Sequence, residues 1–232
     1  MATDSLERVA DGTFAPAQSL GEEVRGYCQT LLARLPWSNG ADRSRHLQTL
    51  GLTSCYSGEG VSTVAAQLAV TAAGRGQQRV LLVDANLARP GVHRTFGVDL
   101  QPGLAEILSD PEGLPAAIQP TGVAGLSVVA AGMPEESPGE ALDCAALAGV
   151  LDRLRADFDL VIFDLPPSGQ TGSATRLAAL LDGLVMVVEA ERVRWEVAQR
   201  TSELLRRAGV RLLGAVLNKR RQHVPNWLYR TL

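Results

Sequence analysis

Six short runs of this chain are apolar almost throughout, and this feature constrains the fold more than any other. A strand that is apolar at nearly every position is buried on both faces, which is typical of a parallel sheet covered by helices. We therefore predict an α/β fold with a mostly parallel sheet and helices on both faces. The runs span residues 50–54, 80–84, 126–131, 160–164, 184–188 and 212–218.

Helical periodicity separates most of these runs, as parallel connections require. The pattern predicts helices over residues 20–35, 62–73, 141–156 and 193–208. Residues 1–45 are predicted to be a flexible lead-in that ends in the first of these helices. The domain itself is predicted over 46–220, and a basic and aromatic tail over 221–232.

Composition limits the classes of protein that the chain can belong to. With 232 residues, of which 46% are hydrophobic and 20% charged, the chain is long enough to bury a full core. The net charge of −3 gives no general attraction to nucleic acid. No apolar stretch approaches the length of a membrane span. The three cysteines, Cys28, Cys55 and Cys144, are widely spaced without a metal-ligand pattern, which indicates reduced thiols and a cytoplasmic protein.

A glycine-containing turn joins the first run to the helix after it, where residues 54–63 read SCYSGEGVST. Glycines let backbone N–H groups approach a phosphate, and the start of the helix points its dipole at the anion. We name residues 54–63 the phosphate loop. Such a loop normally carries a lysine before its Ser or Thr, and Val61 stands at that position. The predicted nucleotide-binding residues in it are Gly58, Glu59, Gly60, Val61, Ser62 and Thr63.

Acidic residues end two of the other runs, Asp84 after the second and Asp164 after the fourth. Carboxylates at strand ends beside a phosphate loop can hold Mg²⁺, together with the hydroxyl of Ser62. These two aspartates are also the candidate catalytic residues if the protein is active. A cap that ends the strand is an equally good interpretation of either one alone.

Several ordered motifs resemble those of the bacterial tyrosine kinases that act in capsule and exopolysaccharide synthesis, within the MinD/ParA-like P-loop superfamily. The family sequence GEGKST is similar to residues 58–63, and VDADLRRP is similar to residues 83–90. Residues 159–167 resemble the third family motif. Residues 216–218 resemble its VLN strand end, which implies that Asn218 lies near the adenine.

The resemblance covers residues 22–218 and carries further implications. It implies a P-loop NTPase-like fold, ATP or ADP and Mg²⁺ as cofactors, and a membrane-embedded polysaccharide co-polymerase or adaptor as partner. It also implies assembly into a homo-oligomer and a position at the inner face of the membrane.

The chain departs from the family mainly at residues that carry chemistry. Val61 replaces the phosphate-loop lysine, and Asn86 replaces a carboxylate. Only Tyr229 remains of the tyrosine-rich tail, and Cys28 stands at the second arginine of the assembly motif ExxRxxR, which Glu22 and Arg25 match. These joint losses favour a pseudokinase or scaffold that binds nucleotide weakly or not at all.

Two alternatives stay open from the sequence. The first is an active kinase or ATPase with a relocated cation, for which Arg89 is a candidate. The second is a positioning ATPase of the MinD and ParA type. Those ATPases carry a further lysine early in the phosphate loop, where this chain has Tyr56.

Overall fold

A single sheet of seven strands organises the computed structural model, which describes residues 22–35, 47–76, 78–134, 144–169 and 172–220. The predicted lead-in before residue 22, most of the connector after the first helix and the predicted tail over 221–232 lie outside these described residues. The strand order is β3-β4-β2-β5-β1-β6-β7. The strands are β1 (Thr49–Ser54), β2 (Val80–Asp84), β3 (Gln119–Pro120), β4 (Leu126–Val129), β5 (Leu160–Asp164), β6 (Gly183–Glu189) and β7 (Leu212–Asn218).

All neighbouring strands are parallel except β3 and β4, and helices cover both faces of the sheet. One core contains buried residues of α1, α2 and α3, and the other contains buried residues of α4 to α8. This arrangement confirms the predicted fold class. The helices are α1 (Glu22–Arg34), α2 (Val61–Ala73), α3 (Val92–Phe96), α4 (Leu104–Ser109), α5 (Leu114–Ala117), α6 (Cys144–Asp157), α7 (Gly172–Ala178) and α8 (Trp195–Arg207).

The third predicted run extends beyond the observed strand. Strand β4 ends at Val129, two residues before the predicted end. The reason is that the carbonyls of Ala130 and Ala131 accept hydrogen bonds from the N–H groups of Leu104 and Ala105, at 2.7 and 2.9 Å. These two carbonyls therefore satisfy the free donors at the start of α4.

Helix α1 packs on α2 through its apolar side, which includes Cys28 and Leu32. Cys28 is only 6% exposed, and burial raises the pKa of its thiol. The position that the family motif gives to an arginine is therefore a core position in this chain. Within the described ranges, none of the helices is both long and apolar enough to cross a membrane.

A polar cluster fixes the starts of β1 and β6 against α6. The Asp182 carboxylate accepts hydrogen bonds from the N–H groups of Gln48 and Thr49, at 2.9 and 2.7 Å. Arg155 of α6 donates to the other oxygen of the same carboxylate at 3.0 Å. Backbone donors at the start of β1 are thus satisfied by a side chain from a distant part of the sequence.

Candidate nucleotide-binding site

The phosphate loop leaves the carboxyl end of β1 and leads into α2 at the centre of the sheet. Gly58 and Gly60 have φ angles of 87° and 93°, in the left-handed region that side chains with a Cβ rarely adopt. A Cβ built on Gly60 would lie 2.3 Å from the Nδ2 atom of Asn218. The backbone path of the loop therefore depends on both glycines.

Val61 is the first residue of α2, and its side chain is 8% exposed in the core with Val64 and Ala65. The side chain thus points into the protein and brings no charge to the loop. The first N–H groups of a helix have no partner within the helix. The N–H groups of Val61, Ser62 and Thr63 therefore keep the capacity to bind an anion.

Glu59 is completely buried, and its carboxylate bonds to the protein backbone. One oxygen accepts from the N–H of Tyr56 inside the loop, and the other accepts from the N–H of Glu189 at 2.9 Å. The Glu59 side chain therefore attaches the loop to the end of β6. What this residue offers to a nucleotide is its backbone.

Asp84 is buried and bonds to the segment that follows its own strand. Its Oδ1 accepts from the N–H of Asn86 at 3.1 Å, and its Oδ2 accepts from the N–H groups of Gly91 and Val92 at 2.8 and 3.0 Å. Burial raises the pKa of Asp84, and these backbone bonds act against that rise. The geometry is that of a cap at the end of the strand.

Asp164 lies beside Asp84 in the register of β2 and β5, but its surroundings are different. It is 1% exposed, and neither carboxylate oxygen has a hydrogen-bond partner. Burial, followed by the charge of Asp84, raises the pKa of Asp164 to about 8, although the nearby Ser62 hydroxyl acts against the rise. A buried carboxyl group without a partner is available to a ligand.

These residues fit Mg²⁺ as an ion that arrives together with a phosphate. Mg²⁺ usually combines one or two carboxylates with waters and substrate phosphates. The unpartnered Asp164 and the Ser62 hydroxyl match that donor set. In the part of the chain that the structure describes, no group of three or more His, Cys, Asp or Glu residues is placed to hold a metal ion by itself.

Asn218 and three cations surround the beginning of the loop. The Asn218 amide donates to the Glu59 carbonyl at 2.8 Å, and the Lys219 ammonium donates to the Gly58 carbonyl at 2.7 Å. The guanidinium groups are both at Ser57. Arg192 donates to its carbonyl at 3.3 Å, and Arg89 donates to its hydroxyl at 3.0 Å.

Two of these four residues, Asn218 and Arg89, were expected at the site from the sequence. Arg192 was not, and Lys219 was not connected with the loop. The signal was present, because both residues closely follow predicted strands: Arg192 follows β6, which pairs with the loop strand β1, and Lys219 follows β7, which pairs with β6. In parallel sheets the carboxyl ends of such strands meet at one edge.

Comparison with known proteins identifies the family. The model of the ParA family, described as the NUBPL iron-transfer P-loop NTPase, matches residues 46–228. Tyrosine-protein kinase YwqD of Bacillus subtilis (strain 168) is 34% identical over 178 residues, which cover 77% of this chain and 75% of the relative. The chain belongs to the bacterial tyrosine-protein kinase family of P-loop proteins. Tyrosine-protein kinase CpsD of Streptococcus agalactiae is 31% identical over 179 residues, covering 77% of this chain and 78% of that protein.

Solved structures of this kinase family have the same fold. The kinase domain of Escherichia coli tyrosine kinase ETK matches with a TM-score of 0.78 and 26% identity, over 97% of this chain and 88% of that one. The chimerical protein CapA2B2 matches with a TM-score of 0.77 and 27% identity, over 89% of this chain and 88% of that one. The MinD protein of Pyrococcus horikoshii, in complex with Mg-ADP, matches with a TM-score of 0.64 and 23% identity, over 80% of this chain and 76% of that one, and thus shares the fold. The resemblance predicted from the sequence is confirmed.

Proposed function

We propose that this chain is a catalytically silent member of the tyrosine-protein kinase family, which serves capsule or exopolysaccharide assembly or export as a scaffold. The observation that carries the proposal is Val61, an apolar core side chain at the position of the catalytic lysine. Removing one preorganised charge contact to a reacting phosphate commonly lowers the rate by roughly 10²- to 10³-fold. The amide at Asn86 removes a carboxylate as well.

In this proposal the loop retains weak binding of ATP or ADP. The backbone N–H groups of residues 58–63 hold the phosphates, and Asn218 lies at the adenine end. Ser62 and Asp164 would hold Mg²⁺, while Asp84 keeps the neighbouring segment in place. When bound, Mg²⁺ neutralises charge on the phosphate oxygens.

The proposed setting follows from the family. We propose that residues 46–220 form the folded unit and that this unit meets a membrane-embedded polysaccharide co-polymerase or adaptor at the inner face of the membrane. The chain is proposed to work there as a cytoplasmic, peripheral homo-oligomer without nucleic acid. Nucleotide would then act through assembly instead of through phosphate transfer.

The test is ATP turnover by the purified full chain with Mg²⁺, measured both as phosphate release and as tyrosine phosphorylation. We expect the wild type to match the blank without protein. Asp84→Ala and Asp164→Ala serve as controls, with folding checked by circular dichroism. Turnover by the wild type that either variant abolishes would overturn the proposal.

One observation favours the alternative of an active enzyme with a relocated cation. The Arg89 guanidinium reaches the phosphate loop, where it donates to the Ser57 hydroxyl. If Arg89 performs the task of the missing lysine, Arg89→Gln must abolish turnover while nucleotide still binds. ATPases of the MinD and ParA type carry lysines at two positions of the phosphate loop. This chain has Tyr56 and Val61 there, which counts against that alternative.

A further inference from the structure

Lys219 is the only lysine in the sequence, since the other 21 of the 22 basic residues are arginines. The structure places its ammonium 2.7 Å from the Gly58 carbonyl, inside the hydrogen-bond shell of the phosphate loop. Its Cε atom is 3.9 Å from the position of a Cβ built on Gly60. The single lysine of the chain therefore contacts the loop whose own lysine position holds Val61.

Three consecutive carbonyls of the loop accept hydrogen bonds from side chains near the ends of β6 and β7. Arg192 follows β6, Asn218 is the last residue of β7, and Lys219 follows β7. Arg192 donates to the Ser57 carbonyl, Lys219 to that of Gly58, and Asn218 to that of Glu59. In a planar trans peptide the C=O and the next N–H point in opposite directions. By holding these carbonyls, the three side chains help to keep the N–H groups of residues 58–60 pointing to the opposite side of the loop. An anion-binding nest requires N–H groups that point outward in this way.

The same side chains leave positive charge beside the loop. Glu189 Oε2 accepts from Arg192 at 2.8 Å and from Lys219 at 3.3 Å. The bond from Arg192, and then that from Lys219, lowers the pKa of Glu189, so this carboxylate stays ionised. With Arg89 at the Ser57 hydroxyl and the buried Glu59 carboxylate included, three cations and two carboxylates lie around this part of the loop, so the positive charges exceed the negative ones by one.

We propose that Lys219 supplies the positive charge that Val61 does not, and that it holds the loop ready for the diphosphate group of a nucleotide. In this role Lys219 is a positioning residue that strengthens binding and takes no part in phosphate transfer. The inference rests on the proposed function only in taking a nucleotide as the ligand.

The test is calorimetric titration of the full chain with Mg-ADP. We expect Lys219→Gln to weaken binding about tenfold, between the effect of an exposed ion pair and that of a charge-assisted hydrogen bond. Lys219→Arg should retain most of the affinity because the charge remains. The matched control is Arg220→Gln, which removes the exposed neighbouring charge and should leave the affinity unchanged.

A double-mutant cycle separates supply of charge from mere support of the loop. With Val61→Lys present, the loop has its own cation, and Lys219→Gln should then cost less than about twofold. A purely structural role of Lys219 would cost the same factor with and without the Val61→Lys substitution. Equal losses in the two backgrounds, or no loss in the wild type, would overturn the inference.

A spectroscopic signal gives a second readout, because reductive ¹³C-methylation labels one lysine side chain per molecule. Mg-ADP should shift this resonance with the midpoint that calorimetry gives, and the resonance should be missing in Lys219→Arg. Failure of the wild type to bind Mg-ADP overturns this inference and the proposed weak nucleotide binding, but it leaves the proposed catalytic silence of the chain intact. Turnover by the wild type has the opposite effect, since it overturns the proposed function and leaves the role of Lys219 measurable.

Discussion

At the scale of single residues, Asp84 and Asp164 show how one residue type acquires two roles. Both end apolar strands and both are buried, but three backbone N–H groups bind Asp84 and none binds Asp164. The sequence predicts both carboxylates at the sheet edge. It does not predict their difference, because that depends on where the N–H groups of residues 86–92 point after folding.

Asp164 makes stability depend on pH. Its pKa is about 8 in the folded chain against an ordinary value of 3.8, so the folded state retains a proton that the unfolded state loses. The stabilisation is complete below pH 3.8 and is lost as pH rises through 8. The free energy of unfolding of the wild type should therefore fall, relative to that of Asp164→Asn, by up to about 1.4 kcal/mol per pH unit within this window. Urea unfolding of both proteins in EDTA at about pH 5 and about pH 8 measures this difference.

The control for this experiment is Asp99→Asn, which changes an exposed aspartate and should run parallel to the wild type at both pH values. A constant difference between wild type and Asp164→Asn across the two pH values would contradict the raised pKa of Asp164.

Gly60→Ala tests the backbone path of the loop. We expect a loss of about 2–3 kcal/mol in the free energy of unfolding, from strain at positive φ and from displacement of the Asn218 amide. Gly76→Ala is the matched control. Gly76 also has a positive φ, 83°, but nothing lies within 4 Å of its added Cβ, so we expect about 1 kcal/mol from strain alone. Equal losses in the two variants would show that the Asn218 contact contributes nothing.

At the scale of elements, long periodic segments were predictable and short ones were not. The helices around 22–34, 61–73 and 195–207 and the strands at the sheet centre carry enough apolar positions to show their period. Strand β3 has two residues, and α3, α4, α5 and α7 have four to seven, which is too few for a pattern. Tertiary contacts, such as those between α4 and the end of β4, decide these elements.

The connection between the loop and β6 depends on Glu59. In Glu59→Gln only one side-chain oxygen remains for two backbone N–H donors, and we expect a loss of about 1–3 kcal/mol in the free energy of unfolding. Hydrogen exchange should become faster at the amide of Tyr56 or at that of Glu189, because the remaining oxygen can accept from only one of them at full strength. The control Glu196→Gln alters an exposed side chain on α8 and should leave both quantities unchanged. Unchanged exchange at both amides in Glu59→Gln would contradict the described attachment.

At the scale of the whole molecule, the cluster around Asp182 joins segments that are far apart in sequence. Arg155 forms ion pairs with two aspartates, with Asp182 at 3.0 Å and with Asp152 at 3.5 Å. The Asp182 side chain is 23% exposed, whereas the Asp152 side chain is 83% exposed. We expect Asp182→Asn to lower the free energy of unfolding by about 2–4 kcal/mol, because backbone donors and a half-buried guanidinium lose a partner. Asp152→Asn should change it by less than about 0.5 kcal/mol.

Urea unfolding of the two variants measures both free-energy changes, and equal changes would show that burial of the Asp182 pair is unimportant.

The fold class was predictable because apolar strands alternate with helices. This cluster was not, because Gln48, Arg155 and Asp182 are brought together only by the strand order.

Val61 is proposed to make the site catalytically silent, and a single-turnover experiment is the sharpest test of this proposal. The full chain, in excess over Mg-ATP labelled at the γ-phosphate, is followed for release or transfer of the label, beside Val61→Lys. We expect ATP bound to the wild type to stay intact for as long as ATP in the blank without protein. Conversion of bound ATP by the wild type at the rate of Val61→Lys would contradict the proposal.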